Sequence, residues 1–132
     1  MRSRAVLPIA AAAIGLAATA ALAADGNAEN GADVFRKCRA CHEIGANAKN
    51  KAGGGPQLNG IIGRKASSVE GFPYSDASHK AAAGGLVWTE ETLSKYLYDP
   101  RAFMPGTKMS FPGLRDEQDR KDLIAYLKQA GK

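Results

Sequence analysis

Apolar residues are distributed unevenly along this chain. Behind Arg2 and Arg4 lies an uncharged, Ala-rich run from Ala5 to Ala24, after which hydrophobic positions become sparse and clustered. Ala24 to Glu29 reads as a loose polar start. From Asn30 the segment Gly31-Ala32-Asp33-Val34-Phe35-Arg36-Lys37 suits a helix with a narrow apolar face, running into two cysteines. Gly and Lys dominate from Ile44 to Ser68, which predicts a long loop with at most a short turn at Leu58 to Ile62. A loop of that length in a compact domain is commonly functional. Thr89 is placed to cap a second helix whose first turn carries Glu90 and Glu91, and Asp99-Pro100 ends it. Pro105-Gly106-Thr107-Lys108-Met109 cannot be regular helix. A third helix is predicted from about Asp116 to Gln129, with Glu117 and Lys121 paired at i,i+4 and Leu123, Ile124, Tyr126 and Leu127 forming its buried face. Nothing alternates with period two. The expected class is all-α, three main helices joined by short helical turns and long loops.

The leading run has the organisation of a secretory signal peptide, with a small-x-small site at Ala21-Leu22-Ala23. Residues 1–23 are therefore expected to be removed after Ala23, leaving one domain over residues 24–132 in the periplasm. The rival reading is an uncleaved anchor, since such a run is just long enough to span a bilayer. Few of its residues are Leu, Ile or Val, which weighs against it.

Removing Arg2 and Arg4 lowers the net charge from +5 to +3. That is a mildly basic face and not a nucleic-acid stripe. Only 18 Leu, Ile, Val and Phe remain in the 109 residues from Ala24 onward, below the ~20% at which an ordinary core becomes doubtful. Something other than side chains is expected to fill the interior.

Cys38-Arg39-Ala40-Cys41-His42 supplies a candidate. Two thiols three residues apart on a helical turn can each add to one vinyl group of a haem, while the adjacent histidine is held under the ring to donate a nitrogen to iron. A Cys38–Cys41 disulfide is sterically possible in an oxidising compartment. A C-x-x-C redox pair is expected beside a βαβ pattern, which this chain lacks. Zinc would need a fourth ligand, and only His79 remains as a further nitrogen donor. For the sixth iron position the candidates are His79, Met104 and Met109. His79 sits among polar residues and reads as solvated. Met104 competes as a flexible core filler. Met109, 67 residues beyond His42 in a rigid Pro/Gly loop between two helices, is favoured by spacing.

These residues, together with Gly55-Pro56-Gln57-Leu58, Gly63-Arg64-Lys65, Gly71 to Ala77, Trp88 to Leu93, Tyr96 to Pro100, Pro105 to Met109 and Asp122 to Leu127, give the chain a pattern that resembles class I cytochrome c. The likeness covers nearly all of the mature chain, from Gly31 to about Ala130, and is to the bacterial cytochrome c2 and mitochondrial cytochrome c branch. It implies one covalently bound haem c, with Cys38 and Cys41 as thioether attachments and His42 and Met109 as axial iron ligands. Pro56 would accept the second ring N–H of the proximal histidine. Arg64, Tyr74 and Trp88 would surround a buried haem propionate, and Tyr96 and Thr107 would lie on the methionine side. Two departures stand out. The Ala46 to Gly55 loop is slightly longer than in the mitochondrial form, and Ser78 stands where Asn is common.

The implied function is one-electron shuttling, without catalysis, between a membrane reductase (a bc1-type complex or dehydrogenase) and an oxidase or photosynthetic reaction centre. Lys37, Arg39, Arg101 and Lys108 would form a basic rim that steers the protein, as a monomer, to acidic partners. The alternative is a small haem peroxidase or ligand-binding haem protein with an open sixth site.

Overall fold

A computed structural model describes residues 26–132; the expected signal segment lies outside them. Helix α1 is Ala28–Val34, continued by a 3₁₀ turn over Phe35–Lys37. Asn27 caps α1 by accepting from the Asn30 N–H at 2.9 Å, so the helix starts two residues earlier than the apolar pattern suggested. Apolar periodicity cannot see a cap whose first turn is polar. Helix α2, Asp76–Ala83, was not foreseen as a separate element. Its Ser75 cap and its closing run of three alanines are the physical reason it forms. Helix α3, Glu90–Tyr98, begins at Thr89 with a reciprocal Thr89/Thr92 capping box. Asp99, extended, stops it and caps the short α4, Pro100–Phe103. Helix α5 is Glu117–Ala130, capped by Asp116 and carrying the Glu117–Lys121 pair at 2.8 Å.

A two-residue ladder adds to the all-α plan. Strand β1, Arg64–Lys65, pairs antiparallel with β2, Val87–Trp88, with Arg64 opposite Trp88. Two residues are too few to show an alternation in sequence. The ladder fastens the long loop to the segment just before the Thr89 cap of α3.

Helices α1 and α5 cross at a glycine. A Cβ on Gly31 would stand 2.0 Å from the Asp122 carbonyl oxygen and 2.7 Å from Tyr126 Cβ, so backbone packs on backbone there. Phe35 and Tyr126 extend the contact, rings 5.2 Å apart. Asp122, only 3% exposed, accepts from the Asn27 N–H at 2.6 Å. Among the described residues no helix is long and apolar enough to cross a membrane.

The core is not a solid mass of side chains. Among the described residues eleven hydrophobic side chains are buried, and eight of them also line one cavity of about 980 Å³. The interior deficit in the composition is therefore a real space bounded by Phe35, Ile61, Trp88, Leu97, Leu123 and Leu127 among others.

Candidate haem site

The 3₁₀ turn after α1 places the attachment motif. The Cys38 carbonyl accepts from both Cys41 N–H, at 3.1 Å, and His42 N–H, at 2.9 Å, closing one turn that brings both thiols and the imidazole to the cavity wall. No disulfide joins the two cysteines. Cys38 is half-buried, and burial pushes its thiol up to about 11; Cys41 is exposed.

Opposite this turn, the 51–55 loop folds back on itself and is pinned by the Gly55 N–H to the Cys41 carbonyl at 2.8 Å. Gly55 then lies directly against the His42 ring, where a Cβ would meet Cε1 at 2.2 Å. The next residue offers its carbonyl to the same ring, with His42 Nδ1 2.8 Å from the Pro56 oxygen. A carbonyl only accepts, so Nδ1 carries the proton and Nε2 is left with its lone pair for a metal. Burial lowers the His42 pKa, which favours that neutral form.

The other wall is built by α3, α4 and the loop after them. Tyr96 and Thr107 share a hydroxyl–hydroxyl hydrogen bond of 2.8 Å, and the Thr107 hydroxyl accepts from the Met109 N–H at 3.3 Å. This fixes the backbone of the methionine loop. Met109 is half-buried on the cavity wall. Met104 also lines the cavity and is only 5% exposed, more deeply buried than Met109. His79 is exposed, its ring 6.0 Å from that of Tyr74.

Arg64, Tyr74 and Trp88 meet at the third side. Two Arg64 guanidinium nitrogens donate to the carbonyls of Asn59, at 2.9 Å, and Gln57, at 3.0 Å. The Tyr74 hydroxyl accepts from the Val69 N–H at 3.0 Å, and Trp88 stacks obliquely on Tyr96 at 4.9 Å. Ser78, buried, pairs its hydroxyl with that of Ser67 at 2.8 Å. A serine pair thus occupies the position where Asn is common. The ten residues that the resemblance assigns to haem attachment, iron ligation and the haem surroundings, from Cys38 to Met109, all line this one cavity, whereas His79 does not. Of the basic residues, Lys37 and Lys108 border it, while Arg39 and Arg101 are exposed outside its lining. Sequence reasoning did not single out Asn50, Ser67 or Phe111. Only Phe111, two residues past Met109, carried a signal.

The donor set fits a covalently held haem: two thiols on one turn, an imidazole with its tautomer locked by Pro56, a glycine cradle behind the ring, and a largely apolar cavity. Comparison with known proteins agrees. The family model described as Cytochrome c matches residues 28–131. The chain is similar to cytochrome c2 of Blastochloris viridis, 52% identical over 86% of this chain and 86% of the relative. It is also similar to cytochrome c-550 of Ancylobacter novellus, 58% identical over 74% of this chain and 90% of the relative. The solved cytochrome c2 structure from Rhodospirillum centenum superposes with a TM-score of 0.75 at 44% identity, covering 81% of this chain and all of that one. With the cavity, the attachment turn and these likenesses in agreement, the chain belongs to the cytochrome c family, and binds one haem c covalently.

Proposed function

We propose that this chain, an electron-carrier cytochrome, works in the periplasm between a membrane reductase and an oxidase or photosynthetic reaction centre. The bound haem supplies the one-electron couple of its iron. Every other requirement of a carrier falls on the polypeptide. His42, held by Gly55 and Pro56, would hold the iron through Nε2; Met109, presented by the loop that Tyr96 and Thr107 fasten, would offer its thioether as the second ligand. A His/Met pair favours the reduced state and raises the potential. Ligands held on tied backbone limit the structural change that accompanies electron transfer. The observation that carries this reading is the placement of His42 and Met109 on the wall of one cavity, with the imidazole tautomer locked by a 2.8 Å hydrogen bond.

Lys37, Arg39, Arg101 and Lys108 are exposed, and none is engaged in a salt bridge among the described residues. They form the steering rim, leaving their charge to act on an acidic partner at a distance. The test is stopped-flow reduction by a purified membrane reductase at two ionic strengths. The bimolecular rate falls as salt rises; an unchanged rate overturns the steering role, and absence of electron transfer overturns the carrier reading.

A further inference from the structure

Beside the haem cavity lies a second depression of about 570 Å³, open to solvent, whose lining includes Lys49, Asn50, Gln57, Arg64, Val69 and Glu70. Asn50 and Arg64 line both spaces. Their side chains therefore form the partition between the outer depression and the cavity.

Arg64 is anchored by its bonds to the Asn59 and Gln57 carbonyls. Asn50 holds the other half. Its Oδ1 accepts from the Gln57 N–H at 3.0 Å, and its side-chain nitrogen reaches the Glu70 carbonyl at 3.4 Å, spanning the depression. Gln57 is thus tied to both partition residues, through its N–H to Asn50 and through its C=O to Arg64. It directly follows Pro56, whose carbonyl orients His42.

We propose that Asn50 is a positioning residue that keeps this partition shut and so limits the water reaching the Arg64 side of the haem cavity. The inference rests on the haem-carrier reading above. Exclusion of water matters to a carrier because the oxidised site bears one more positive charge, which solvent stabilises, and solvent access is one of the levers on a haem potential. Asn50→Ala removes both bonds across the depression while leaving Arg64 and the iron ligands untouched.

The experiment compares haem-loaded parent, Asn50→Ala and Ser68→Ala, the last altering a residue that lines only the outer depression. Amide exchange at Gln57 rises roughly tenfold in Asn50→Ala, the equilibrium weight of one hydrogen bond, and the midpoint potential falls. Exchange at Gly31, in the distant α1/α5 crossing, stays at the parent rate, and Ser68→Ala changes neither quantity. Parent-like Gln57 exchange and potential in Asn50→Ala overturn the proposal, as does a parallel rise at Gly31, which would mean general loosening. A parent without a reversible one-electron wave overturns the carrier reading instead, leaving the exchange result as a separate measure of the latch.

Discussion

Gly55 lies flat against the imidazole of His42, so near that a Cβ on it would stand 2.2 Å from Cε1 and 2.7 Å from Nδ1. No rotamer adjustment relieves this, because the clashing atoms belong to a ring already bonded to the Pro56 carbonyl. Gly55→Ala must push the ring or the loop away. The expected cost is about 1–3 kcal/mol of stability, the usual range for overpacking. Part of the population should also shift to a high-spin spectrum as the proposed His42–iron bond weakens. Thermal melts and absorption spectra of the variant check both.

The second close approach is structural. At Gly31 an added Cβ meets backbone, the Asp122 carbonyl, at 2.0 Å, and backbone gives way less readily than a side chain. Gly31→Ala should cost about 3 kcal/mol or more, at the upper end of overpacking, by prising α1 from α5. The proposed iron ligands lie elsewhere, so the folded fraction keeps the parent spectrum. Denaturant unfolding followed at the haem band measures both quantities.

Asp122 gives the fold an acid-sensitive tie. The Asn27 N–H, followed by the Gln118 side chain, holds its carboxyl below the ordinary carboxylate value. A depressed folded-state pKa contributes stability that is fully present above the unfolded pKa, near 3.9, and is lost as pH falls through the folded value. Parent stability should therefore decline below about pH 4. Asp122→Asn should be less stable at neutral pH, by about 1.5–3 kcal/mol for a hydrogen bond to a charged group, and should show a shallower acid decline. Melts from pH 7 downward test the slope.

Among the described residues, eight of the eleven buried hydrophobic ones line the cavity, so the haem completes the centre of the core. At about 24 cal/mol per Å³, even a few hundred Å³ left unfilled costs on the order of 5–10 kcal/mol, comparable with the whole stability of a small domain. The chain without haem should be largely unfolded by circular dichroism. A cooperative, native-like melt of the apo chain would contradict this.

Much of the site was legible in the sequence because its chemistry is local. Cys38, Cys41 and His42 occupy one turn, and Thr89, Asp99-Pro100 and Asp116 punctuate helices through their own side chains. Other features depend on contacts far apart in sequence. The Arg64/Trp88 ladder is two residues long on each side. The Ser67/Ser78 pair joins a loop to α2. Asn50 acquires meaning only from Gln57 and Glu70, which the fold brings to it. Helix α2 is a different matter, since its Ser75 cap and alanine run were local signals obscured by a weak apolar face. The onset of α1 was missed because Asn27 and Glu29 are polar, yet the first is the cap and the second lies in the first turn, where the dipole favours it.

The central claim is that His42 and Met109 close the iron on both sides, with Met104 confined to packing. The most direct measurement is the absorption spectrum of the oxidised and reduced protein beside its Met109→Ala and Met104→Ala variants. The account predicts a low-spin, methionine-ligated parent, a Met104→Ala spectrum that matches it, and a Met109→Ala variant that keeps its covalent haem but has a lowered potential and binds added ligands. A high-spin parent, or a Met109→Ala variant with parent spectrum and potential, would contradict it.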